Sequence, residues 1–221
     1  DGSTWRAVKP FRNVASARLR FLSPEEMLRL VNVCPPDFRR LVQAALFTGA
    51  RYGELCRMKV QDFDATSGTV LVAESKSGKP RRIALTPEAQ AWFKSETAGR
   101  AAGELLFTRT GVERRKRTAV GSAWGRSDQS RFMAQACEAA KLDKLSFHEL
   151  RHTYASILVN RGVPMAYVAA QLGHSDTRMV DKHYGHLAPN ALADAIRTLV
   201  PNLGLAEEPK VETLKIAKSG A

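Results

Sequence analysis

Cysteine is scarce in this chain of 221 residues: there are 3, at Cys34, Cys56 and Cys137, and no two share a CxxC spacing. That excludes a disulfide framework and a zinc knuckle, and it suits small thiols in a reducing compartment. No apolar run reaches the roughly 18 residues that a membrane helix needs, so no span is expected. No signal peptide is visible, and the chain opens without Met, so it reads as a fragment of a cytoplasmic protein. Acidic residues are short as well, with 22 Asp and Glu against 34 Lys and Arg, for a net charge of +12. A surplus of that size is the electrostatic footprint of a protein that binds a polyanion, most often nucleic acid. What is present in ordinary amount is apolar residue, at 44%, enough for one substantial core.

The basic charge is concentrated. Residues 1–20 carry Arg6, Lys9, Arg12, Arg18 and Arg20 against Asp1, and the stretch RTGVERRKRT at 109–118 has five cations against Glu113. In the tail 201–221, three lysines meet three glutamates. Basic segments flanking a near-neutral body suit arms that lie on phosphates.

Local signals outline the fold. Ser23-Pro24 with Glu26 is a helix start with a capping box, and the helix should run to about Val33. Pro35-Pro36-Asp37 opens a second helix through FRRLVQAALF, and a short third runs from Arg51 to Met58 after the Thr48-Gly49 break. VQDFD, TVLVAES and RRIALT are strand-like and separated by ATSG and KSGKP, which predicts a three-stranded antiparallel meander. Thr86-Pro87-Glu88 caps a helix to about residue 98. Further helices are expected at about 126–141, 148–160, 164–172, 176–184 and 189–199. The expected fold class is therefore mainly α with a small three-stranded antiparallel sheet.

All five histidines lie between residues 148 and 186, in HELRHTY, LGHSD and DKHYGH. On a helix, His148, Arg151 and His152 are spaced i, i+3 and i+4 and share one face. The same string matches the HExxH signature of zinc hydrolases. In that reading Arg151 would set a permanent cation beside a dication, and no third ligand follows in an obvious pattern. No metal and no other cofactor is expected. A phosphodiester fits the residues better. Arg51 and Arg151 could each fork onto nonbridging oxygens and stabilise a five-coordinate transition state. His148 could accept the proton of an attacking hydroxyl, and His174 could donate to a phosphate oxygen. Tyr184 supplies the hydroxyl, and a phenol at neutral pH needs such a base and such cations. Tyr52, Tyr154 and Tyr167 are expected to pack in or near the core, whereas Tyr184 lies between the polar neighbours His183 and Gly185. His152 is expected to be a structural helix histidine.

At these residues the chain resembles the catalytic domain of the tyrosine recombinases, the phage integrase family. TGARYGEL at 48–55, HELRHTYAS at 148–156, LGHSDTRMVDKHYGHL at 172–187 and ESKSGKPRRIALT at 74–86 resemble four family boxes in order, over about residues 21–190. The resemblance implies that the protein is a site-specific recombinase that cuts and rejoins DNA through a 3′-phosphotyrosyl bond to Tyr184. It implies Arg51 and Arg151 as paired arginines, His148 and His174 as box histidines, Lys76 as the acid for the leaving 5′ oxygen, and Glu54 as a brace for Arg51. It also implies double-stranded DNA as partner, with a homotetramer on paired sites. Residues 1–20 would be the linker from an N-terminal DNA-clamping domain, 21–200 the catalytic domain and 201–221 a tail. Lys79, Arg81 and Arg82 on the hairpin, and Arg114 and Arg115 in the basic loop, are expected to touch phosphates. A type IB topoisomerase-like enzyme and a non-catalytic DNA-binding regulator are the rival readings. The spacing from His174 to Tyr184 is ten residues, against a commoner nine in the family. An extra residue turns a helix by about 100°, so a bulge or a late helix start is expected there.

The hairpin lysine can be identified chemically. A departing alkoxide needs a proton, whereas a thiolate leaves without one. DNA with sulfur at the 5′ bridging position should therefore restore cleavage to Lys76→Ala but not to Arg51→Ala. Rescue of Lys79→Ala in its place would transfer the role to Lys79.

Overall fold

The computed structural model describes residues 20–73, 80–109 and 121–185. The first helix, α1 (Pro24–Val33), begins at the capping box legible in the sequence. The Ser23 hydroxyl accepts from the Glu26 amide, and the Glu26 carboxylate accepts from the Ser23 amide. Helix α2 (Pro36–Thr48) ends at Gly49, whose φ of 63° is left-handed. A single-turn helix, α3 (Tyr52–Leu55), follows. It stops short of the expected Met58 because the Met58 carbonyl accepts from the Leu106 amide and draws the chain out of the helix.

The meander is as expected in topology: β1 (Phe63–Asp64), β2 (Thr69–Val72) and β3 (Arg81–Ala84) pair antiparallel in that order. The first strand is shorter than VQDFD. Val60–Asp62 form a 3-10 turn instead, closed by the Lys59 amide on the Asp62 carboxylate at 2.7 Å. Then come α4 (Pro87–Thr97), α5 (Asp128–Ala139), α6 (His148–Asn160), α7 (Met165–Leu172) and α8 (Arg178–Tyr184). The extra residue between His174 and Tyr184 is absorbed by a late start, with 175–177 outside the helix. Arg20, counted with the basic linker, pairs with Glu26 and Asp143. The hairpin tip 74–79, the loop 110–120, the expected helix 189–199, the tail and the rest of the linker lie outside the described residues. So do Lys76, Lys79, Arg114 and Arg115. No helix among the described residues is long and apolar enough to cross a membrane.

Apolar burial divides at α6. Its first turn joins the larger core through Leu150, beside Leu41 and Leu55, while Phe38 stacks on Phe132 and tilts against Phe147 and Trp124. Its second half, with Ala155 and Val159, holds α7 and α8 in a smaller cluster of Val168, Ala169, Leu172, Val180 and Tyr184. The three cysteines are free thiols, and Cys34 and Cys137 are buried.

Gly49 is the tightest joint in this frame. A Cβ there would collide with the Tyr154 ring of α6, and φ is already in the left-handed region. Gly49→Ala should therefore cost about 1–3 kcal/mol, read as a lowered midpoint in urea. An unchanged midpoint would mean that the junction of α2 and α6 has slack.

Candidate active site

The centre of the site is a buried cation. Arg151, 3% exposed, reaches from α6 to the ends of two other helices. One terminal nitrogen donates to the Gly49 carbonyl at 2.8 Å. The other donates to the Leu172 carbonyl at 2.6 Å and lies 3.2 Å from His174 Nε2. These carbonyls close α2 and α7, so the guanidinium satisfies orphan acceptors at the negative ends of two helix dipoles. Burial first, and then the Arg51 charge, push the Arg151 pKa down to about 9, which still leaves a cation at neutral pH.

His174 follows from this. A guanidinium only donates, so the Nε2 facing it is the acceptor and the ring is neutral, with its proton on Nδ1. Burial and the charges of Arg151, Arg51 and Arg81 hold its pKa down at about 4. His148, at the start of α6, opens to solvent on one side. The protein packed against its other side, with Arg151 and Arg51, keeps it below the ordinary imidazole value.

Glu54 is hydrogen-bonded to Arg51. Its two oxygens accept from the Arg51 amide and from the Arg51 guanidinium, each at 2.9 Å. The sequence reading missed a second arginine on the same carboxylate. Arg81 donates to both oxygens, at 3.1 and 2.8 Å, and its Nε donates to the Gln171 carbonyl at 3.0 Å. Burial alone would raise the Glu54 pKa, but the hydrogen bonds from Arg81 and Arg51 outweigh it and hold the carboxyl ionised. The expectation that Arg81 faces outward onto phosphates is thus corrected. Its side chain is 10% exposed, whereas that of Arg82 is 54% exposed, beside Thr69 and Asp64. Strand alternation carried this signal: Arg81 shares a face with the buried Ile83.

An open cavity of about 620 Å³ adjoins these groups. Arg51, His148 and Arg151 line it, together with Lys144, Gln129 and Ser130, which the sequence had not singled out.

Tyr184 differs most from expectation. It is 4% exposed and packed in the smaller apolar cluster, while Tyr167, expected to pack, is 66% exposed. Its hydroxyl hydrogen-bonds to His152 Nδ1. The His152 ring lies edge-on to His148, with centroids 4.7 Å apart, and 6.4 Å from His183. His152 is therefore the partner of Tyr184 and not a mere helix residue, a role its shared face with His148 allowed. Burial pushes the phenol up to about 12 against the pull of Arg151. Burial and the neighbouring imidazoles and Arg151 press His152 down to about 4 despite the nearby Glu149.

The HELRH string is not assembled around an ion. Glu149 turns back to the Ser146 amide, and among the described residues no group of three His, Cys, Asp or Glu side chains could hold a metal.

These imidazoles set a pH dependence. The unfolded chain binds protons at His152 and His174 near pH 6.5, the folded chain only near pH 4. The unfolded state then holds more protons across that window, so their contribution to stability is complete above it and lost as pH falls through it. The melting temperature should drop from about pH 6.5 to about pH 4, and His174→Gln should flatten part of the drop. An identical slope in the variant would show that other groups carry it.

Residues 20–191 match the model of the phage integrase family. The integrase of Salmonella phage P22 is 29% identical over 204 residues, covering 84% of this chain and 50% of that protein. The chain spans about half the length of the curated relatives it matches. In fold it resembles the catalytic domain of bacteriophage HP1 integrase, with a TM-score of 0.60, 23% identity and coverage of 86% of this chain and 99% of that one. It also resembles the Tn1549 transposon integrase bound to transposon right end DNA, with a TM-score of 0.66, 17% identity and coverage of 85% and 68%. With that family model matching residues 20–191, most of its length, the chain belongs to the phage integrase family.

Proposed function

We propose that this chain is the catalytic part of a site-specific DNA recombinase that cleaves and rejoins strands through a covalent 3′-phosphotyrosyl intermediate. One observation carries the reading: Arg51, Arg151 and His148 face one cavity, His174 is bonded to Arg151, and the Tyr184 hydroxyl lies in the adjoining imidazole layer. In this scheme the scissile phosphate enters the cavity, and its nonbridging oxygens receive the two guanidiniums. The neutral His174 keeps an N–H to donate, and the neutral His148 can accept a proton.

The resting Tyr184 is protonated, buried and held by His152, so attack requires it to turn out toward the cavity. Its oxygen then bonds to phosphorus as the bond to the 5′ oxygen breaks. Lys76 protonates that oxygen, and the phenolic proton passes to His148. The phosphoester energy is kept in the tyrosyl bond, so rejoining is the same path reversed. Charge stabilisation by arginines leaves no step that needs a metal.

Double-stranded DNA as partner is supported by the basic surplus and by the DNA-bound state of the Tn1549 integrase relative. Assembly as a homotetramer on paired sites is part of the same proposal, as are phosphate contacts by Arg82, Lys79, Arg114 and Arg115. The filled catalytic positions favour this reading over a non-catalytic regulator.

Tyr184→Phe tests it on a nicked suicide substrate. The wild-type chain should form an adduct stable to denaturing gels. The variant should form none while binding DNA within about twofold of wild type, since only one hydroxyl is lost. A persisting adduct would move the nucleophile elsewhere, first to the exposed Tyr167.

A further inference from the structure

We infer that Arg81 is a positioning residue of this active site: through Glu54 it fixes the Arg51 guanidinium for the phosphate and keeps its charge available. The inference rests on the proposed recombinase reading, and it concerns a residue with no place in that scheme so far.

Three observations carry it. Arg81 is bound at both ends of its fork. Two of its nitrogens meet the two Glu54 oxygens, and Nε meets the Gln171 carbonyl. It therefore ties together β3, α3 and the C-terminal turn of α7, three elements that each border the site. The space around it is fitted as well. A Cβ at Gly173 would lie 2.9 Å from Arg81 Cδ, Nε and a terminal nitrogen. The glycine just before His174 thus leaves room for this side chain. Finally, the charges are unequal. Glu54 is one buried anion among the cations Arg51, Arg81 and Arg151, and its oxygens are shared between Arg51 and Arg81.

The physics follows from that sharing. With Arg81 removed, Glu54 would have Arg51 as its one charged partner among the described residues. A carboxylate with one partner holds it more strongly in a dry site. Arg51 would then be drawn toward Glu54 and partly neutralised, at the position where a phosphate must compete for it. Arg81 prevents this by taking half of the carboxylate, and its bond to Gln171 keeps it from following Arg51 into the cavity. A lysine could not replace it. An ammonium meets one carboxylate oxygen as a point charge and has no planar fork for two oxygens and a carbonyl.

The test measures single-turnover adduct formation at saturating DNA, with two substrates. One carries the natural phosphodiester. The other carries a methylphosphonate at the scissile position, where a methyl group replaces one charged nonbridging oxygen. Arg81→Met should slow the natural substrate by about 10- to 100-fold, as for other residues that orient a catalytic group. On the methylphosphonate, where less charge has to be met, the deficit should shrink to below about threefold. Arg81→Lys should fold and fall between wild type and Arg81→Met, with the same narrowing.

An Arg81→Met that cleaves the phosphodiester at the wild-type rate overturns the inference. An equal deficit on both substrates also overturns it, because a general loss of structure would not distinguish them. If Arg81→Met does not fold, as judged by thermal melting, Arg81→Lys decides, and its full activity would equally reject the role. Should the wild-type chain form no adduct with the phosphodiester, the recombinase reading fails and this inference fails with it.

Discussion

The bond network of Arg151 is the constraint on which the rest of this molecule depends. One buried guanidinium closes the carbonyl ends of α2 and α7 and touches the histidine that follows α7. Removing it would leave buried acceptors without partners, a cost of about 1–3 kcal/mol for each group. Its position at the meeting of two apolar clusters explains why the fold accepts it. The larger core fixes the first turn of α6, the smaller cluster fixes the second half, and the cation occupies the seam. Structure and chemistry are thereby joined. The group that would stabilise a transition state also holds the helices that present it.

Around that centre, electrostatics and burial act in opposite directions on different residues. Burial deprives His152, His174 and Tyr184 of charge, so that these three are neutral at rest. The same burial would neutralise Glu54, but hydrogen bonds from two arginines outweigh it. The site therefore rests with its permanent charges on groups that need not change protonation and with its neutral groups poised to exchange protons. Such a division is useful in a reaction whose main task is to meet charge on a phosphate.

Much of this was legible in the sequence, for physical reasons. Caps and breaks are local, so Ser23, Gly49 and Thr86 marked helix ends that the structure keeps. The shared face of His148 and Arg151 follows from helical spacing, and Glu54 lies one turn from Arg51. What was missed depends on tertiary contact. The hydrogen bond between His152 and Tyr184 spans 32 residues, and no local pattern foretells it. The burial of Tyr184 was misread because its sequence neighbours are polar, whereas its spatial neighbours on α6 and α7 are apolar. Arg81 is a different kind of miss. The alternation of β3 points it inward with Ile83, whereas the basic composition of the hairpin suggests a phosphate-facing role.

The depressed histidines have a consequence for ligand binding. A group held neutral by neighbouring cations is a proton acceptor waiting for its surroundings to change. When an anion enters beside His148 and His174, the field of Arg51 and Arg151 is partly cancelled, and both imidazoles become more basic. Where the pH lies near these raised values, occupation of the cavity by a polyanion is accompanied by proton uptake from solvent. Affinity becomes a function of proton activity as well as of salt, and the heat of binding depends on which buffer supplies the proton.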